Sequence, residues 1–153
     1  MKRSDVCFDC DGVRFNFRVS CIIFSDGKYL LHKKKGDSFW NLIGGRASLG
    51  ESSIAAIKRE IKEEIGCECA IDALVHISEN FFCLEGRDFH EILMIFTGTL
   101  KEPILEERME NDIEVRWFSG AELEEIDIRP GYTREILRNP VRISQWIVND
   151  ERE

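Results

Sequence analysis

Glu60, Glu63 and Glu64 fall within five positions of one another in the stretch GGRASLGESSIAAIKREIKEEIGC, residues Gly44 to Cys67. Two of them are four apart, a spacing at which like charges on a helix repel. The bland account of such a run is a solvated acidic face. Two features oppose it: no lysine stands four residues on to pair with them, and the preceding segment is rich in glycine, with Gly44, Gly45 and Gly50. Magnesium takes oxygen ligands from carboxylates, water and substrate phosphate. A carboxylate cluster beside a flexible glycine loop therefore suits a metal-bridged phosphate, and the cation would relieve the repulsion.

The element that must present these groups is a helix from about Ser52 to Ile65. Ile54, Ile57, Ile61 and Ile65 form its apolar stripe. Ser52 is suited to the N-cap and Gly66 to the C-cap. Upstream, VCFDC, Asp11-Gly12 and a long alternating run predict a hairpin. Its apolar face is Phe15, Phe17, Val19, Cys21 and Ile23, and its polar face Arg14, Asn16, Arg18 and Ser20. A second turn at Ser25-Asp26-Gly27 leads to a strand over 28–33, and KKGDSFWNLIGG predicts a loop before the helix. Downstream, strands are expected near 70–82 and 91–100, with a turn around Glu85-Gly86. A short strand before Trp117-Phe118 follows, then a short helix over 121–125 capped by Ser119. The last helix is expected over 133–148, with a break at Asn139-Pro140. This order predicts an α+β or mixed sandwich.

At 153 residues the chain is expected to form one domain, 1–153, with a genuine core. No apolar run approaches the roughly 20 residues of a membrane-spanning helix. MKRSDVCFDCDG lacks the apolar core of a signal peptide, which points to the cytoplasm. A net charge of −8 argues against nucleic acid as the main partner. It leaves room for a small phosphorylated ligand held through a cation. Cys7-x-x-Cys10 with Cys67-x-Cys69 could be read as four zinc ligands, but the second pair is one residue short of the usual knuckle. Free, buried thiols are the favoured reading.

Spacing separates these possibilities. Gly45, five residues, Glu51, seven residues, then Arg59-Glu60-Ile61-x-Glu63-Glu64-x-Gly66-Cys67 resembles the signature of the Nudix hydrolases at every charged and glycine position. Cys67 replaces the usual aliphatic residue. Trp40-Asn41-Leu42-Ile43-Gly44-Gly45 is similar to the approach to that box, with Ile43 where proline is usual, a change expected to loosen the loop. RFNFRV, ENFF at 79–82 and the HEI strand look like small bacterial-type, MutT-like members.

The resemblance implies an α/β/α sandwich with a mixed sheet, the box forming loop, helix and loop. It further implies Mg2+-dependent hydrolysis, with Mn2+ able to substitute, of a phosphoanhydride in a nucleoside diphosphate linked to another moiety. Carried over by position, Glu60, Glu63 and Glu64 are metal ligands, with Glu51 and Gly45 at the same centre. Arg59 orients a box glutamate through a bidentate ion pair. Glu60 and Glu63, with Arg59, form the catalytic set. Outside the box, Glu91, Glu107, Glu110 and Glu114 are further candidates for the base. Arg46, Lys33 or Lys34, and Arg18 are candidate phosphate contacts, and Phe81 or Phe82 a base-stacking ring. His32, His76 and His90 read as ordinary strand histidines.

Substrate markers of known subgroups are missing. The next proline after the box is Pro103, too far on for the ADP-ribose pattern, and Tyr29 and Tyr132 are the only tyrosines. A nucleoside triphosphate or small nucleoside diphosphate derivative is left as the expected substrate. The competing readings are a nucleotide-sensing module, favoured by Ile43, and a zinc-stabilised structural protein. Members of the family often form homodimers, and the N-terminal hairpin could supply that interface or cover its own core.

Overall fold

Three aspartate or glutamate–glycine turns set the strand pairs. The computed structural model describes residues 3–102, 108–148 and 150–152. Strand β1 (Cys7–Cys10) turns through Asp11-Gly12 into β2 (Val13–Ser25). Asp26-Gly27 then connects β2 to β3 (Lys28–Lys34). Both turn residues have positive φ in each case, 49° and 82°, then 49° and 76°. Two-residue turns of this kind match the twist of paired strands, and only glycine adopts the second position freely. Glu85-Gly86 repeats the device between β5 (Cys69–Leu84) and β6 (Arg87–Leu100).

The remaining elements are β4 (Asn41–Arg46), α1 (Ser53–Ile65), β7 (Arg108–Glu110), β8 (Ile113–Ser119), α2 (Gly120–Leu123) and α3 (Thr133–Arg138). The sheet runs β5-β6-β2-β4-β3-β8-β7, with β1 added to the start of β2. It is mixed: β2 pairs parallel with β6 and antiparallel with β1, β3 and β4. On one face Ile57, Ile61 and Ile65 of α1 pack fully buried against Val19, Cys21, Ile43, Met94 and Phe96. On the far face Leu123, Ile128 and Leu137 cover Ile22, Leu31, Leu42 and Ile95. Helices on both faces of one sheet make the α/β/α sandwich.

The helix behaves as its sequence dictates. The Ser52 side chain accepts from the Ala55 N–H, and Gly66 caps the other end at φ 68°. Three expectations need correction. The stretch Asn41–Arg46 is a central strand rather than a loop, pairing Cys21 with Ile43 and Val19 with Gly45. Ile43 is completely buried in it, so packing rather than a proline ring fixes this position. The polar face of β2 is also partly covered, with Asn16 and Ser20 buried beside Ile22. The last helix stops at Arg138. Pro140 lacks an N–H and disfavours helical backbone at Asn139, which adopts φ −150°, ψ 73°. The chain beyond it is not helical, yet Ile143 and Trp146 still pack onto the core.

Of the cysteines weighed as zinc ligands, Cys69 lies with Cys21 instead. A Cβ placed on Gly98 would stand 2.7 Å from the Cys69 sulfur and 2.8 Å from that of Cys21. Gly98→Ala should therefore overpack this layer and destabilise the fold by about 1–3 kcal/mol. The check is the urea unfolding midpoint, expected to fall with an unchanged slope; an unaltered midpoint would show that the layer has slack.

Candidate active site

Arg59 is the hub of the box. Its Nε and Nη2 donate to the two oxygens of Glu51 at 3.1 and 2.5 Å, a bidentate fork. Nη1 donates to Glu60 at 2.7 Å and to Glu63 at 3.3 Å. Nη2 also reaches the Arg46 carbonyl at 3.1 Å, tying α1 to the end of β4. The Arg59, Glu51 and Glu60 side chains are only 15%, 17% and 15% exposed, so water screens these pairs weakly. Burial alone would raise the Glu51 pKa, but Arg59 and the Ser48 N–H hold it below the usual carboxylate range. Glu60 moves the other way: burial pushes its carboxyl up, and Arg59 opposes this only in part.

Gly45 explains the approach. Its missing Cβ would lie 2.4 Å from a Glu60 oxygen, so only glycine lets the strand edge meet that carboxylate. Glu63 is about half exposed and also bonds Arg3 at 2.9 Å. The N-terminal segment brings Arg3 there by pairing with the box loop. Val6 donates to Ala47 and Leu49 donates to Ser4, each at 2.8 Å. Glu64 is 9% exposed, and its Oε2 lies 2.6 Å from Nδ1 of His32.

Glu51, Glu60, Glu63, Glu64, Gly45 and Arg59 are thus brought together at the seam of α1 and β4. The proposed substrate contacts are not. Arg18 and Arg46 are cross-strand partners, and alternation turns both side chains to the sheet face opposite α1. Arg46 lies 3.9 Å from Asp5. Lys33 lies over the Trp40 ring at 4.9 Å and 3.8 Å from Glu114, also on the far face. Phe81 stacks on His90, centroids 4.4 Å apart, towards the tip of the β5–β6 hairpin, and Phe82 stacks on Phe89. Glu91 is buried on the far face, where Asn80 donates to it at 3.2 Å. Glu107 lies outside the described residues, as does the side chain of Glu110. A surface cavity of about 530 Å³ beside the start of α1 is lined by Gly50, Glu51 and Ser52 with Val148, Asp150, Glu151 and Arg152. It includes none of Glu60, Glu63 and Glu64.

The residue that sequence reasoning missed is His32. It was expected to be an ordinary strand histidine, but it meets a box carboxylate. Its parity with Leu30 fixes the face it uses; nothing local says that α1 lies over that face.

Oxygen donors dominate the centre, which suits a hard divalent cation. The bare backbone at Gly45 and the Glu64 oxygen, approached by a single imidazole, fit such an ion. Among the described residues no three acidic, histidine or cysteine side chains converge on one point. Arg59 gathers Glu51, Glu60 and Glu63, and His32 takes Glu64.

A family description of the NUDIX domain matches residues 14–139. No curated protein sequence matches the chain. Similar solved structures include a NUDIX hydrolase from Nitrosomonas europaea, 22% identical with a TM-score of 0.68 over 90% of this chain and 99% of that one. A MutT NUDIX hydrolase from Burkholderia pseudomallei is 24% identical, TM-score 0.63, over 83% and 98%. An ADP-ribose pyrophosphatase from Streptococcus suis is 21% identical, TM-score 0.58, over 80% and 87%. At these identities the likeness is one of fold.

Arg59→Met would leave three carboxylates crowded without their counter-charge. It should cost about 2–3 kcal/mol at neutral pH, less than a fully buried pair because the site is partly wet. Glu51 has a lowered pKa, so its ionised form stabilises the fold above its unfolded pKa, and this is lost as pH falls through the lowered value. The gap between variant and wild type should therefore narrow from about pH 7 to about pH 3. Unfolding midpoints across that range check both the size and the sign.

Proposed function

We propose that this chain, which belongs to the NUDIX domain family, is a pyrophosphohydrolase that cleaves a phosphoanhydride in a nucleoside triphosphate or small nucleoside diphosphate derivative with Mg2+ or Mn2+. The observation that carries this reading is the Arg59 fork holding Glu51, Glu60 and Glu63 beside the bare backbone of Gly45.

Glu60, Glu63, Glu64 and Glu51, with the Gly45 backbone, would hold the cation. When bound, it neutralises phosphate charge and lowers the pKa of the attacking water. Glu60 acts as the base: Arg59 fixes one of its oxygens and leaves the other to receive a proton. Water oxygen joins one phosphorus, the bridging oxygen leaves with the other, and the water proton passes to Glu60. Arg59 itself keeps its proton, since Glu51 and Glu60 favour the charged form.

Arg46 and Arg18 are the proposed contacts for the distal phosphate or its linked group, reached around the end of β4. Lys33 and Phe81 would serve only a ligand extending further along the sheet. The ADP-ribose pyrophosphatase from Streptococcus suis shares the fold, whereas this chain lacks the proline marker of that activity. No helix among the described residues is long and apolar enough to cross a membrane. A second copy pairing through the N-terminal hairpin would cover Phe8 and Val13, which are exposed.

The test is product release from a panel of nucleoside triphosphates, dinucleotides and nucleoside diphosphate sugars with Mg2+ or Mn2+. Glu60→Gln should reduce kcat on the cleaved class by about 10²–10⁴-fold while leaving the fold intact. Binding without cleavage anywhere on the panel would favour the sensing module instead.

A further inference from the structure

Arg59 holds Glu51, Glu60 and Glu63 but leaves Glu64. A carboxylate 9% exposed is costly to keep ionised without a donor or cation. The side chain that meets it is His32, with Nδ1 at 2.6 Å from Oε2. The imidazole is itself 11% exposed, and apart from this close contact neither atom has a hydrogen-bond partner among the described residues. Its place is fixed by three elements: β3 carries it, and Asn41 of β4 and Val115 of β8 flank it in register. Glu64 of α1 closes over it. A histidine that merely filled a core would be satisfied by any backbone carbonyl. This one has its Nδ1 against a box carboxylate instead.

We propose that His32 is a positioning residue for the cation site: its Nδ1–H donates to Oε2 of Glu64 and fixes the carboxylate so that its second oxygen is presented to the metal. The consequence for turnover rests on the hydrolase reading above; the binding test does not. Partners of this kind orient metal-binding carboxylates, and their loss typically costs about 10–100-fold in metal affinity.

Mn2+ binding is measured by electron paramagnetic resonance on wild type, His32→Asn and His32→Leu, with unfolding midpoints as the control for folding. Asparagine can place an N–H near the position of Nδ1, so it should retain affinity within about threefold, whereas leucine should lose about 10-fold or more. On a cleaved substrate His32→Leu should lower kcat at fixed metal and leave substrate KM within about twofold, as expected of a residue acting through Glu64. Wild-type affinity in the leucine variant overturns the proposal. So does a directly coupled imidazole nitrogen in the wild-type Mn2+ spectrum, which would make His32 a ligand. Should leucine prevent folding, long-range proton–nitrogen spectra of the wild type decide: Nδ1 protonated supports the role, and Nδ1 bare overturns it. A wild type that binds Mn2+ but cleaves nothing sinks the hydrolase reading alone, and one that binds no Mn2+ sinks both.

Discussion

One guanidinium holds three of the four box carboxylates at the candidate site. Arg59 has five N–H donors in a rigid plane, and it directs them at three carboxylates and at the Arg46 carbonyl. That last bond joins the helix to the strand that ends in the double glycine. A lysine could neutralise charge here but could not hold Glu51 bidentately while reaching Glu60 and a carbonyl. The helix therefore carries its acidic cluster at tolerable cost only because the same helix supplies the counter-ion, and the box loop folds back to meet it.

The position of that guanidinium is set by packing elsewhere. Ile57, Ile61 and Ile65 are buried against the β2–β4–β6 centre of the sheet, which fixes the rotation of α1. Rotation in turn decides which glutamates face β4. Gly45 lets the Glu60 carboxylate meet the backbone. Gly44 solves a similar problem on the other face, where a Cβ would lie 2.1 Å from the Val19 carbonyl. Two adjacent glycines are needed because successive residues of a strand face opposite ways.

The features legible in the sequence were the local ones. Caps, turn pairs and the isoleucine stripe each depend on residues within a few positions, and Ser52, Gly66, Asp11-Gly12 and Asp26-Gly27 all behave as their chemistry requires. The box was legible because its spacing is fixed on one helix and its entry. What could not be read depends on pairing between distant segments. β2 and β6 meet across more than 70 residues, as with Val13 and Asp88. That pairing decides that Asn16 and Glu91 are buried together and that Arg18 faces away from α1. WNLIGG looked like a loop because glycine weakens strand propensity, yet its burial between β2 and β3 outweighs this. His32 was missed for the same reason: its partner is 32 positions away, on an element whose docking face no local pattern reveals.

The most direct test of the account is a crystal structure grown with Mn2+, with anomalous differences collected at the manganese edge. The account predicts a peak between the Gly45 backbone and the carboxylates of Glu60 and Glu64, with Arg59 still bound to Glu51. A manganese peak at another place, or an Arg59 detached from every box carboxylate, would contradict it.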